Sequence, residues 1–335
     1  MFHVHILGTS AAIPTASRYP TCQVVTINDR HHLLDCGESA QIQAARYRIR
    51  FSRLDAIFIT HLHADHFLGL PGLLFSLSLN GRNFPLKIFA PRALKAIFDQ
   101  ICEVSQTSLA YELEFYATED FAPGDVIYQK DRYEVVLLPL DHRIFCRGFL
   151  FREINKAPRF LFAKAKSLGV PNAYFKLLKQ GNSVTLENGV TVEPGDVLDS
   201  AEAPVSYAYC TDTRPNPELI PYIKGVTTMY HESTFLKDHS ARARETHHST
   251  AAMAAGVAAA AEVKNLILGH YSARYTDLEP FLDEAREIFP KSELAVEGRV
   301  FNIRAMHRPD YTTDTPYESF EHEPDPEPES GQPLS

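Results

Sequence analysis

The apolar positions of this chain fall into short runs separated by turn-forming residues. Runs with period-two alternation or β-branched and aromatic content read as strands: "FHVHIL" (2–7), "CQVVTI" (22–27), "HHLLDC" (31–36), "AIFIT" (56–60), "LKIFA" (86–90), "YEVVLLPL" (133–140), "GFLFRE" (148–153), "VSYAYC" (205–210), "VTTMYHE" (226–232), "NLILGH" (265–270) and "ELAVE" (293–297). Apolar residues three and four apart predict helices over 39–47, 69–79, 91–103, 249–261 and 278–288. No segment repeats at a fixed period. Strands and helices interleaved in this number predict an α/β sandwich, with helices covering two packed sheets. The rhythm breaks over 154–200, where Lys, aromatics, Gly and Pro mix and "NGVTVEPGD" reads as a small hairpin. This stretch is expected to be an insertion, about 154–195, projecting from the domain.

Composition adds compartment and class. At 335 residues, 44% hydrophobic and 22% charged, the profile is that of a soluble globular chain with ample material for a core. No apolar run approaches the ~20 residues of a membrane helix, and the start "MFHVHILGTSAAIP" lacks the pattern of a signal peptide. Cysteines stand at 22, 36, 102, 146 and 210, an odd number with no CxxC pair. That predicts reduced thiols in a cytoplasmic protein and argues against a disulfide framework or a thiolate zinc site.

Net charge is −9, which by itself argues against a nucleic-acid binder. The distribution changes that conclusion. From residue 309 on there are eight acids and no Lys or Arg, so the rest of the chain is near neutral at −1. Within it, residues 147–180 carry Arg147, Arg152, Lys156, Arg159, Lys164, Lys166, Lys176 and Lys179 against Glu153 alone, a local +7. The tail is rich in Pro and acid and is expected to be disordered. The domain is expected over 1–303 and the tail over 304–335.

The densest chemistry is "HLHADH" (61–66), directly after the apolar run "LDAIFIT". His61 and His63 are two apart, so an extended backbone points both the same way. Asp65 and His66 are adjacent and expected to point apart, which suits a second ion nearby. Imidazole and carboxylate are good zinc ligands, and four such residues in six after a strand outweigh the reading of a lone core histidine. Three other predicted strands end in a suitable residue: His142, Asp212 and His270. Sites in α/β folds collect at strand ends. Two sites follow, His61, His63 and His142 for one ion and Asp65, His66 and His270 for the other, with Asp212 able to bridge. Two ions ~3.5–4 Å apart hold a hydroxide and neutralise the developing charge of a phosphodiester. His3, His5, His31, His32, His239 and His322 read as structural or solvated.

"HLHADH" fits the HxHxDH hallmark of the metallo-β-lactamase superfamily. Together with "LGTSAAIPTASRYPTC" (7–22), "LLDCGESAQIQ" (33–43), "GLPGLL" (69–74), "TDTRP" (211–215), "HESTF" (231–235), "HHST" (247–250) and "LILGHYSARY" (266–275), the chain over 1–303 resembles the short-form tRNase Z family. The resemblance implies an αβ/βα four-layer sandwich with a projecting basic exosite arm, two zinc ions per subunit and a homodimer. It implies an endoribonuclease that removes the 3′ trailer from precursor tRNA by hydroxide attack, leaving a 3′-hydroxyl on the tRNA and a 5′-phosphate on the trailer. The seven ligands carry over one by one. Asp65 takes the place of the general base, and Glu232 with His248 that of the pair assisting departure of the ribose 3′-oxygen. His247 stands beside His248, and the "HST" register favours the latter. The insertion matches the arm that grips tRNA, with Lys164, Lys166, Gly169, Pro171, Lys176 and Lys179 as its substrate-binding residues. Ala173 and Tyr174 stand where the family has Gly-Pro, and "GESAQ" where it commonly has Gly-Glu-Gly-Thr-Gln. The competing reading is another dinuclear phosphodiesterase or arylsulfatase of the same superfamily, against which the long basic arm and "HESTF…HHST" argue.

Overall fold

The computed structural model describes residues 1–154, 158–199 and 203–312. Two seven-stranded sheets form its frame. The first runs, edge to edge, Val300–Asn302, Phe2–Gly8, Cys22–Ile27, Arg30–Leu34, Leu54–Phe58, Leu86–Ala90 and Leu113–Ala117. The second runs Ser292–Leu294, Leu266–Gly269, Thr228–Glu232, Ser206–Cys210, Arg147–Glu153, Tyr133–Pro139 and Val126–Lys130. Each sheet is antiparallel in one half and parallel in the other.

One face of each sheet meets the other sheet. Phe2, Val4, Phe58 and Phe89 from the first pack with Tyr133, Phe149, Phe151, Tyr209 and Tyr230 from the second. The outer faces are covered by helices. Ala40–Arg46, Leu70–Leu79 and Ala93–Ser105 lie on the first, and Ala251–Ala260 and Glu279–Arg286 on the second. The inner parallel strands are therefore covered on both sides, which is why they read as near-continuous apolar runs. The result is an αβ/βα four-layer sandwich. Phe58 sits fully buried at its centre, stacked on Phe89 at 5.0 Å and 5.2 Å from the Phe149 ring. Phe58→Ala is expected to cost about 3–5 kcal/mol, read as a lower denaturant midpoint at unchanged slope.

The expected strands and helices are present with ends shifted by a few residues. Three edge or near-edge strands, Leu113–Ala117, Val126–Lys130 and Val300–Asn302, went unpredicted because half-covered edges carry mixed polar sequence. Of "NGVTVEPGD", only the start belongs to a hairpin, where Val184–Thr185 pairs with Thr191–Val192. "PGDV" instead forms a helical turn closed by a reciprocal Glu193–Asp196 capping box. The described residues continue past 303. Helix Ile303–Met306 buries Ile303 and Met306, three residues apart on one face, and Tyr311 reaches Glu293. Lys156, His322 and the acidic tail from 313 lie outside the described residues.

The basic insertion leaves the second sheet between two neighbouring antiparallel strands, Arg147–Glu153 and Ser206–Cys210. The chain exits and returns where Glu153 N–H donates to the Val205 carbonyl (3.0 Å). Between these points Phe160, Ala165, Val170, Leu178, Val184, Leu186, Val192 and Val197 form a small core of their own. The bridge Phe160–Leu198 closes its base.

Candidate active site

The parallel strands of both sheets end at the same rim, and so do the residues of interest. Asp35 follows Arg30–Leu34, His61 follows Leu54–Phe58, Asp212 follows Ser206–Cys210, Glu232 ends Thr228–Glu232 and His270 follows Leu266–Gly269. His142 follows Tyr133–Pro139, which runs in the direction of the Asp212 strand. Asp35, Asp212 and His270 all take left-handed backbone, at φ 53°, 49° and 59°. This conformation costs a non-glycine residue about 1–2 kcal/mol, and such strain gathers at functional sites. Before His270, Gly269 is required by close approach: a Cβ there would lie 2.3 Å from the Tyr230 hydroxyl.

Two clusters form. In one, His61 Nε2 and His142 Nε2 lie 3.0 and 3.2 Å from His63 Nδ1, and 3.5 and 3.8 Å from Asp212 Oδ2. In the other, His66 Nε2 and His270 Nε2 lie 3.4 and 3.6 Å from Asp65 Oδ2. Both nitrogens also lie close to Asp212 Oδ1, at 3.2 and 3.1 Å. Asp212 thus turns one oxygen to each cluster. Asp65 and His66 converge, contrary to the expectation that they point apart. They lie on the helical turn Ala64–Phe67, not on an extended strand.

The donor set fits metal. Ligands bound at ~2.0–2.1 Å in a tetrahedron stand about 3.3–3.4 Å apart, close to the spacings of both clusters. His66 Nε2 and His270 Nε2 are buried and stand 3.2 and 3.1 Å from Asp212 Oδ1 without hydrogen-bond geometry, a state that metal coordination relieves. The imidazole protons are held away from the clusters. Asp35 is fully buried and accepts from Thr60 N–H (2.9 Å), the Thr60 hydroxyl (3.0 Å) and the Tyr209 hydroxyl (2.9 Å), with His66 Nδ1 at 2.8 Å. The Thr60 hydroxyl, 3.0 Å from His61 Nδ1, passes the same constraint to His61. His142 Nδ1 donates to the His247 carbonyl (3.3 Å). Such partners fix the tautomer and aim the lone pair inward.

Electrostatics point the same way. Burial opposes charge on His66, yet Asp212, Asp65 and Asp35 hold its pKa well above the usual range. Burial would raise the Asp65 carboxyl, but His66 and His270 hold it far below. Burial lowers His61 strongly, with His66 adding to it, and brings His142 down to about 4. The carboxylates therefore concentrate positive charge where a cation would sit.

A second carboxylate organises the opposite wall. Glu232 is fully buried and accepts from Thr213 N–H (3.0 Å), Thr234 N–H (3.1 Å) and the Thr234 hydroxyl (2.7 Å). That hydroxyl lies 2.9 Å from His270 Nδ1. Glu232 Oε1 itself meets His248 Nδ1 at 2.7 Å. Burial resists charge on His248, but Glu232 raises its pKa to about 9, so it is protonated at neutral pH. Of the adjacent histidines, His248 pairs with Glu232, and His247 faces Asp141 at 3.2 Å. Thr250, not Ser249, caps the following helix, while Ser249 donates to the Thr213 carbonyl (2.7 Å).

His63, Asp65, Asp212, His248 and His270 line a cleft of about 390 Å³ whose rim carries Arg143, Arg242 and Arg274. Lys164, Lys166, Gly169, Pro171, Lys176 and Lys179 lie in the insertion and do not line it. All four lysines are exposed. Gly169 takes φ 75° after helix Phe162–Ser167, and Pro171 begins the turn Asn172–Tyr174. His32 is a buried core histidine, 2.7 Å from the Tyr133 hydroxyl.

Sequence reasoning missed Asp35, Thr60, Thr234 and the Ala12 amide, which donates to Asp65 Oδ2 (2.7 Å). The strand-end criterion that selects Asp212 also selects Asp35, which the predicted strand 31–36 had absorbed.

Solved structures share this architecture. The metallo-β-lactamase fold protein YhfI from Bacillus subtilis matches with TM-score 0.63 at 17% identity, over 90% of this chain and 98% of that one. Human tRNase Z, short form, matches with TM-score 0.64 at 25% identity, over 90% of this chain and 99% of that one. The chain therefore has the metallo-β-lactamase fold, and its His/Asp clusters are suited to metal. A family model described as "Anti-Pycsar protein Apyc1" matches residues 2–146. Ribonuclease Z of Parabacteroides distasonis is 40% identical over 90% of this chain and 99% of its own length. Ribonuclease Z of Bacteroides thetaiotaomicron is 41% identical over 90% and 95%. The chain belongs to the ribonuclease Z family.

Proposed function

We propose that this chain removes the 3′ trailer from precursor tRNA with two zinc ions, leaving a 3′-hydroxyl on the tRNA and a 5′-phosphate on the trailer. Membership of the ribonuclease Z family makes it a tRNA 3′-processing endoribonuclease, a phosphodiester hydrolase. The observation that carries the finer reading is the meeting, at one rim, of two ligand clusters shared by Asp212 with the His248–Glu232 pair. His61, His63, His142 and Asp212 would hold one ion, and Asp65, His66, His270 and Asp212 the other. When bound, the metals supply a nucleophile near neutral pH and offset the charge that builds on the phosphate.

The protein groups do the rest. Asp65, ionised before the reaction, accepts a hydrogen bond from the attacking water, orients it and takes its proton as general base. His248, protonated and held by Glu232, gives its proton to the departing ribose 3′-oxygen. Arg143, Arg242 and Arg274 face the RNA backbone across the cleft. The exposed lysines of the inserted unit hold tRNA phosphates at a distance from the cut, making binding salt-sensitive. The reading extends to a cytoplasmic homodimer, in keeping with five free cysteines. Among the described residues no helix is long and apolar enough to cross a membrane. The family-model match over 2–146 stops before the insertion and "HESTF…HHST", so it does not favour a different substrate.

The test uses zinc-loaded protein and a precursor tRNA with a 3′ trailer, with Asp65→Ala as control. Cleavage at the acceptor-stem end is expected. Hydrolysis of a small phosphodiester without that cleavage would refute the tRNA reading. Replacing 154–195 by a short turn should raise KM for precursor tRNA at least ~10-fold and leave a small diester within about twofold. Equal effects on both substrates would show the insertion to be a folding element.

A further inference from the structure

The first histidine of "HHST" takes no part in the Glu232 pair, yet its conformation is demanding. His247 ends helix Ser240–Thr246 in the left-handed region, at φ 58° and ψ 42°, a place that glycine or asparagine usually takes. Its ring Nδ1 lies 3.2 Å from Asp141 Oδ1, and its carbonyl accepts from His142 Nδ1 (3.3 Å). The dipeptide Asp141–His142 therefore faces the dipeptide His247–His248 through two separate contacts. The His142 and His248 rings stand 5.1 Å apart between centroids.

Asp141 is itself anchored. Its N–H donates to the Thr213 hydroxyl (3.0 Å), its carbonyl accepts from Arg214 N–H (3.1 Å), and Oδ2 accepts from Arg214 Nε (2.8 Å). These two residues follow Asp212 directly. Thr213 continues the link, donating its N–H to Glu232 Oε1 (3.0 Å) and accepting from Ser249 Oγ (2.7 Å). The four loops that carry Asp212, His142, Glu232 and His248 thus close on one another around Asp141 and Thr213.

We propose that Asp141 and His247 are a positioning pair that sets the spacing between the metal-facing imidazole of His142 and the proton donor His248. Asp141 grips the His247 side chain. The left-handed turn then presents the His247 carbonyl to His142 and swings the next residue, His248, onto Glu232. Neither residue needs to touch RNA. Misplacing a proton donor by about 1 Å is enough to cost ~10²-fold in rate. The proposal rests on the metal and proton-donor roles given above to His142 and His248.

Three variants of the zinc-loaded full chain test it: Asp141→Ala, His247→Gly and His247→Asn. Two quantities are read, kcat and KM on precursor tRNA, and the chelator concentration at which zinc is released. Asp141→Ala and His247→Gly should lower kcat about 10–100-fold, hold KM within about twofold, and release zinc at about tenfold less chelator. His247→Asn should recover kcat to within about threefold, because asparagine tolerates the left-handed turn and keeps a donor toward Asp141. Glycine keeps the turn and loses only the side chain. Wild-type kcat per zinc-loaded subunit in His247→Gly, or wild-type zinc release in Asp141→Ala, overturns the proposal whatever happens to Tm. Zinc release requires no RNA. If the wild-type chain fails to cut precursor tRNA while zinc release shifts as expected, the substrate reading falls and the pairing stands.

Discussion

Asp212→Ala is expected to strip metal from both clusters and lower precursor cleavage at least ~10³-fold. Among the described residues, no other side chain stands in both clusters. Its two oxygens lie 3.5 and 3.8 Å from one pair of imidazole nitrogens and 3.2 and 3.1 Å from the other. Removing it also takes a carboxylate charge from beside His61, His142, His66 and His270, so the remaining ligands attract a cation less strongly. His270→Ala, by contrast, removes a ligand from one cluster and should cost one ion. Metal content by mass spectrometry, measured beside cleavage, separates the two. Two equivalents of metal retained in Asp212→Ala would rule out the bridging assignment.

His248→Ala should lower kcat ~10²–10⁴-fold with KM little changed. The ribose 3′-oxygen is a poor leaving group and leaves as an alkoxide unless a proton meets it. His248 has that proton at neutral pH because Glu232, buried and saturated with hydrogen bonds from Thr213 and Thr234, cannot move away or become solvated. The contrast that identifies the role is the leaving group. A nitrophenyl phosphodiester expels a stable phenolate that needs no proton, so its hydrolysis should fall no more than about tenfold in the same variant. Glu232→Gln should act in the same direction by removing the charge that keeps His248 protonated. Equal losses on both substrates would mean that His248 holds structure or metal instead of supplying the proton.

The seven residues of the two clusters are legible because position and chemistry coincide. "HLHADH", His142, Asp212 and His270 combine ligand types with predicted strand ends, and the topology brings those ends to one rim. What the periodicity could not convey is backbone conformation past the strands. Asp65 and His66 were expected to diverge on an extended chain, and a single helical turn makes them converge. Asp35 sat inside a predicted strand, while its left-handed φ ends that strand at Leu34, two residues short of the predicted end. Edge strands such as Val126–Lys130 escaped because one long side faces solvent, so their pattern is not that of a buried run. Thr60 and Thr234 were invisible for another reason. Thr60 merely precedes His61 and Thr234 is remote in sequence from His270, and only three-dimensional placement beside Asp35 and Glu232 turns each hydroxyl into a relay that orients a ring.

The way the inserted unit joins the sheet has a consequence for descent. Its two ends enter at partnered positions of adjacent antiparallel strands, Glu153 and Val205. A bare hairpin turn would satisfy the same ladder. Loops at such positions lengthen or shorten at little cost to the strands they join. Lineages sharing this frame can therefore gain, trade or lose a substrate-holding appendage in one genetic event, without a shift of register in either sheet. Selection can then act on what the enzyme holds while the rim that cuts stays as it was.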